Sequence, residues 1–132
     1  MRTAPSLGNP YRYNRYSFAW ENVPPSSPAH LDFGCGDGRF LASLKTKGID
    51  RLVGVDISRD VVCRARQRFP ELEILHISDT VPLPLGDAQF MSITLMDVIE
   101  HIDEQNALLD ELNHVLKHDG VLIVTVPNTT TL

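Results

Sequence analysis

A chain of 132 residues, 42% hydrophobic and 22% charged, has the size and composition of one ordinary globular domain with a single core. Its formal net charge of −5 argues against general electrostatic affinity for nucleic acid or an anionic membrane. No apolar run approaches a membrane span and the N-terminus lacks a signal-peptide core; the two cysteines, Cys35 and Cys63, suggest neither a disulfide framework nor a metal knuckle, so a reducing cytoplasm is the expected compartment.

Residues 1–28 read as an irregular N-terminal arm, punctuated by Pro5, Gly8, Pro10, Pro24, Pro25 and Pro28. The arm holds an aromatic and basic cluster of Tyr11, Arg12, Tyr13, Arg15, Tyr16, Phe18 and Trp20. Such a cluster either clamps a planar ligand or, the simpler reading, packs its aromatics onto the domain. The domain proper is expected over 29–132. A strand at about 29–33 runs into Gly34-Cys35-Gly36-Asp37-Gly38, and a helix follows from Gly38 to near Lys47, capped by Gly48. The second strand is Arg51–Asp56. Ser58 caps a second helix that stops before Pro70, and Leu72–His76 forms a third strand. After a turn-rich loop, Phe90–Met96 is apolar enough for a central parallel strand. A helix over about Glu104–Lys117 and an Asp119-Gly120 turn lead to a last strand, Val121–Val126. Alternating strands and helices give an α/β fold with a doubly wound parallel sheet, and ligands bind such sheets at the carboxyl ends of the strands.

The glycine loop sits at such an end. Glycine there permits positive φ and close approach of a ligand, and the helix behind it is expected to aim its first N–H groups into the crevice. The dinucleotide fingerprint wants a third glycine where this chain has Arg39, and the phosphate loop wants a Lys followed by Ser or Thr, which is absent. Two acids are present instead, Asp32 before the glycines and Asp37 among them. They would repel a pyrophosphate and suit a cofactor that carries a sulfonium, an ammonium and ribose hydroxyls.

Leu31-Asp32-Phe33-Gly34-Cys35-Gly36-Asp37-Gly38 resembles motif I of class I S-adenosylmethionine (SAM) dependent methyltransferases. Glu100-His101, Lys117-His118-Asp119-Gly120 and Val126-Pro127-Asn128 extend the resemblance to the type 11 and ubiquinone-biosynthesis-like groups, over residues 29–128. It implies the Rossmann-like methyltransferase fold, SAM as cofactor and a small-molecule methyl acceptor. Within it, Gly34, Cys35, Gly36 and Gly38 with Asp32 would hold the methionine end. Asp56, ending the second strand, would accept from the ribose hydroxyls. Ile57 would lie on the adenine face, Asp79 would accept from its amino group, and Met96 completes the cofactor set. Met91 stands where the family usually has an acid.

His101 has three readings: a cap and pocket floor together with Glu100, a general base, or a metal ligand with Asp97 and Glu100. The last spacing resembles the cluster of metal-dependent RNA 2′-O-methyltransferases. The lone histidines His30, His76, His114 and His118 read as surface or strand-end residues. The family's sheet continues past Pro127-Asn128 with another helix and an antiparallel strand pair, which Thr129–Leu132 is too short to supply. The expectation is therefore a C-terminally short domain, or a sheet edge covered by a second copy or a partner chain, with a SAM-binding domain lacking its own turnover as the alternative function.

Overall fold

In a computed structural model that describes residues 14–127, five strands form one all-parallel sheet in the order β3-β2-β1-β4-β5. The strands are β1 (Ala29–Phe33), β2 (Arg51–Asp56), β3 (Glu73–His76), β4 (Phe90–Met96) and β5 (Leu116–Thr125). The helices are α1 (Arg15–Asn22), α2 (Arg39–Ser43), α3 (Arg59–Arg68) and α4 (Gln105–Val115), with short 3-10 turns at Leu44–Lys47 and Ile99–His101. The doubly wound topology is the expected one. The strand order reverses between β1 and β4, so the carboxyl ends of those two strands flank the crevice where such sheets take ligands.

Side-chain alternation divides the sheet into two faces. Leu31 and Phe33 of β1, Val53 and Val55 of β2, and Ile93 and Leu95 of β4 pack with Leu108, Leu112 and Val115 of α4 into one core. On the other face, Ala19 and Val23 from the α1 segment, Phe40 and Leu41 of α2, and Val62 and Ala65 of α3 pack with Ile74 and Ile123 into a second. Two elements start or stop on local signals. Ser58 Oγ accepts from the Val61 N–H at the start of α3, Gly48 closes the 3-10 turn at φ 74°, and α3 ends two residues before Pro70.

Two expectations are corrected. The arm is not irregular throughout: residues 15–22 form α1, whose N-cap Asn14 accepts from Ser17 N–H and whose Ala19 is fully buried. One short helix with a single small residue at its packing point leaves too weak a period to read in a proline-rich stretch. The second correction concerns Asp119-Gly120. β5 already begins at Leu116, opposite Phe90, and pairing resumes at Val121 opposite Ser92. Lys117–Gly120 is therefore a bulge within β5 rather than a turn before it. Tyr11, Arg12, Tyr13 and Asn128, together with the Thr129–Leu132 stretch, lie outside the described residues.

Candidate functional site

A cleft of about 630 Å³ opens at the carboxyl end of β1, lined by Asp32, Gly34, Cys35, Gly36, Asp37 and Met96 from the sheet side. Arg15, Tyr16, Arg39, Phe40, Ser43 and Val61 complete its walls. Five of the sequence-selected cofactor residues, Asp32, Gly34, Cys35, Gly36 and Met96, thus come together on one wall.

The loop is shaped by close approach. Gly34 has φ 78°, and a Cβ there would meet Val98 Cγ2 at 2.6 Å. Gly36, at φ 57°, faces open space, with nothing within 4 Å of a Cβ position. Gly38 does not line the cleft. Its left-handed φ of 85° starts α2, and a Cβ there would touch Phe69, Ala65 and Leu72, so its role is packing. Cys35 turns inward against β2, where a Cβ on Gly54 would sit 2.7 Å from its Sγ. Burial, followed by the charges of Asp32 and Asp56, drives its thiol pKa upward, which makes it a packing group rather than a nucleophile.

Five of the backbone donors in and after the loop are engaged by the protein itself, contrary to expectation. Gly34 and Cys35 N–H both donate to Val55 O, at 2.8 and 3.0 Å, and Gly36 N–H donates to Asp56 Oδ2 at 2.9 Å. Gly38 N–H donates to Cys35 O, and Arg39 N–H to Asp37 Oδ1 at 3.0 Å. α2 is only five residues long and its first N–H is taken by Asp37. Asp37 also meets the Arg39 guanidinium at 3.2 Å.

Asp32 is the acid left in the cleft. It is 1% exposed and accepts from the Thr94 hydroxyl at 2.8 Å. Burial raises its pKa to about 7; the Thr94 hydrogen bond works against that rise, and the Asp56 charge adds to it.

The remaining candidates stand outside this cleft. Asp56 braces the loop from below, its second oxygen accepting from Ser58 N–H at 2.9 Å. A carboxylate offers about four lone-pair sites, so two remain for a ligand. Ile57 is 63% exposed beyond it, and Asp79 is exposed after β3. His101 projects outward, its side chain 76% exposed, which leaves the general-base reading without a contact in the cleft. The metal reading also fails to assemble. Asp97 is held by Arg15 Nε at 2.7 Å and by the Thr125 hydroxyl at 3.2 Å, and no group of three ligating side chains converges among the described residues.

Two features escaped the sequence. α1 forms the cleft rim: Tyr16 lies 6.1 Å from Phe40 between ring centroids, Trp20 Nε1 donates to Ser43 O at 3.2 Å, and Arg15 reaches Asp97. Of the cluster's described residues, Trp20 packs on the domain while Arg15 and Tyr16 wall the cleft. His30, read as a surface or strand-end residue, is wholly buried, with both ring nitrogens engaged by Ser92 and Thr94. His76, His114 and His118 are partly or fully exposed, as expected.

A family model described as "Methyltransferase domain" matches residues 31–124. A protein of Mycobacterium tuberculosis (strain ATCC 25618 / H37Rv), named a probable S-adenosylmethionine-dependent methyltransferase, is 31% identical over 133 residues, covering 98% of this chain and 48% of the relative. A ubiquinone biosynthesis O-methyltransferase of Xylella fastidiosa is 29% identical over 92% of this chain and 50% of its own. The chain spans about half the length of these curated relatives. Among solved structures, the complex of the Haloferax volcanii Trm112 methyltransferase activator with a methyltransferase matches with TM-score 0.77 and 28% identity, over 83% of this chain and 50% of that one. The [4+2]-cyclase SpnF matches as well in shape, with TM-score 0.77 at 24% identity, over 84% of this chain and 43% of its own. That likeness is of fold alone.

Proposed function

The chain belongs to the SAM-dependent methyltransferase family, type 11, and from that membership we propose that its cleft holds SAM for methyl transfer to a small-molecule acceptor. The observation that carries the reading is the donor and acceptor set of the cleft. Every loop N–H named above is spent on the protein, while Asp32, almost wholly buried, lines the cleft. A phosphate would find none of those backbone donors and would meet Asp32 and Asp37, with the Arg15 and Arg39 guanidiniums on the walls already paired to Asp97 and Asp37; an ammonium and hydroxyls would find carboxylate acceptors. The residues fit SAM.

When bound, SAM supplies an electrophilic methyl group on a sulfonium whose leaving group is a neutral thioether. The chain's own contribution is positioning, which in well-oriented systems reaches effective molarities of about 10⁵–10⁸ M. Asp32 would accept from the cofactor's donors, and Gly36, with open space over its Cα, would let the ligand approach the backbone. Asp56 holds the loop, and its remaining lone pairs would be available to the ribose, with Ile57 and Asp79 the residues that would meet the adenine. Tyr16 and Phe40 would give the ligand an aromatic wall. A cofactor unit so built would take in α1 from Arg15 as well as the domain from Ala29, because Arg15 and Tyr16 line the cleft.

A small acceptor is supported by the −5 charge, which disfavours a nucleic-acid substrate, and by the ubiquinone-biosynthesis relative. A second reading, a SAM-binding unit that turns over only with further chain or a partner, rests on the half-length match and on the neighbour solved with an activator. β5 is the sheet edge such a partner would cover. Both cysteines are free, in keeping with a cytoplasmic setting, and no described helix is long and apolar enough to cross a membrane.

Calorimetric titration with S-adenosylhomocysteine, with NADH as control, tests the cofactor reading. Micromolar binding of the first alone is expected; a folded chain that binds neither, or binds NADH, overturns it. Chelator-insensitive turnover on a small acceptor would then separate the enzyme reading from the binding-unit reading.

A further inference from the structure

Beneath the cleft, four polar side chains from two strands form one buried file. The register pairs His30 with Ser92 and Asp32 with Thr94, so alternation places all four on the same face of β1 and β4. Ser92, His30 and Thr94 are each 0% exposed and Asp32 is 1% exposed. Their contacts run in sequence: Ser92 Oγ to His30 Nδ1 at 2.7 Å, His30 Nε2 to Thr94 Oγ1 at 2.9 Å, and Thr94 Oγ1 to Asp32 Oδ1 at 2.8 Å. The outer end of the file is the acid of the cleft.

Counting protons along it leaves one consistent direction. A hydroxyl has a single hydrogen, and a neutral imidazole donates from one nitrogen while accepting at the other. The Thr94 hydrogen is committed to the Asp32 carboxylate, so toward the ring Thr94 can only accept, and Nε2 must carry the ring proton. Nδ1 is then an acceptor, and the Ser92 hydroxyl donates to it. The doubly protonated ring is excluded by burial, which, with the nearby Lys47 charge, lowers the ring pKa to about 3. Were the proton to sit on Asp32 Oδ1, every bond in the file would invert and the ring would become the Nδ1–H tautomer.

We propose that His30 is a positioning residue for the cofactor site: as the Nε2–H tautomer anchored by Ser92, it holds the Thr94 hydroxyl as a donor to Asp32, so that Asp32 is presented to the cleft as a fixed carboxylate acceptor. The proposal rests on the SAM reading of the cleft. Buried polar chains of this kind are rigid when fully satisfied, and each of the three contacts here has a donor and an acceptor. α1 contacts β4 and β5, and its Ala19 is fully buried in the core of the same face, keeping water from competing for these bonds.

The test has two independent arms on the 132-residue chain. Nitrogen-15 NMR of the imidazole ring in the wild-type protein, above pH 7, should show a protonated Nε2 and a pyridine-like Nδ1 for His30. The opposite tautomer overturns the proposal whether or not any cofactor binds. In the second arm, Thr94→Val should weaken S-adenosylhomocysteine binding about tenfold and release the His30 tautomer preference, and Thr94→Ser should restore affinity to within about threefold. His30→Leu should weaken binding too, with rescue by His30→Gln, whose amide N–H can reach the Nε2 position. Wild-type binding with full affinity in Thr94→Val overturns the proposal and leaves the SAM reading intact. No binding by the folded wild type overturns the SAM reading itself, and the positioning role falls with it.

Discussion

The two faces of the central strand pair are built from opposite materials. On the α4 side, β1 and β4 present Leu31, Phe33, Ile93 and Leu95 to a continuous apolar core. On the α1 side the same strands present His30, Asp32, Ser92 and Thr94, all buried and joined by hydrogen bonds. Apolar burial is roughly proportional to area and indifferent to direction, whereas a hydrogen-bonded file has a direction and ends on a particular atom. One face therefore supplies stability, and the other ends on Asp32 at the cleft.

The largest expected effect tests the apolar side alone. Ile93→Ala empties part of a fully buried site and should cost about 2–5 kcal/mol of folding stability, read by urea denaturation. S-adenosylhomocysteine affinity at low temperature should stay within about threefold of wild type; a tenfold loss would mean that the faces are not separable. Gly34→Ala comes next. It forces a Cβ to within 2.6 Å of Val98 Cγ2 at φ 78°, where the left-handed backbone alone costs roughly 1–2 kcal/mol. Because Gly34 lies on the cleft wall, binding should suffer more than stability does. Equal binding of the ligand by this variant would show that the loop has room to spare.

The polar face should write its signature on the pH dependence of stability. Asp32, raised from 3.8 to about 7, favours the folded state at low pH, and that contribution is lost as pH rises through about 7. His30, lowered from 6.5 to about 3, acts the other way: its contribution is complete above 6.5 and is lost as pH falls toward 3. Between about pH 4 and 6.5 the two slopes oppose each other, each at most about 1.4 kcal/mol per pH unit. Asp32→Asn should leave the His30 slope exposed, with stability climbing across that window. An Asp32→Asn profile that stays parallel to wild type would contradict the burial-driven shift.

Most of the scaffold was legible because its signals are local. Gly48 at the end of a helical stretch, Ser58 after Asp56 and Pro70 beyond α3 each announce a boundary within a few residues. Asp32, Gly34 and Gly36 were legible as a site because a strand-to-helix loop keeps its chemistry contiguous. His30 was not. Its meaning depends on Ser92 and Thr94, more than sixty positions away, and only the β1–β4 register makes those three residues neighbours. α1 was hidden for a related reason: Ala19 looks like nothing until the sheet face it packs against is known. The bulge at Lys117–Gly120 was hidden because Asp-Gly is also a turn signal, and pairing of Leu116 with Phe90 decides between the two.

The smallest predicted effect concerns the rim, where the polar face meets solvent. Arg15 joins α1 to the end of β4 through Asp97, which sits at φ 57°, a conformation a non-glycine residue adopts only when its surroundings hold it. The arginine side chain is 47% exposed, so the ion pair contributes at most about 1 kcal/mol to folding. Arg15→Ala should therefore scarcely move the urea midpoint. Its consequence should fall on the cleft: with one anchor of α1 gone and Asp97 held by Thr125 alone, the wall formed by Tyr16 loosens, and ligand dissociation should quicken severalfold. Because the pair is exposed to salt, raising the ionic strength should reproduce part of the effect in the wild type and none of it in Arg15→Ala. A variant whose dissociation rate and salt response both match wild type would make α1 a passive cover, and the rim would then owe its shape to the Tyr16–Phe40 and Trp20–Ser43 contacts.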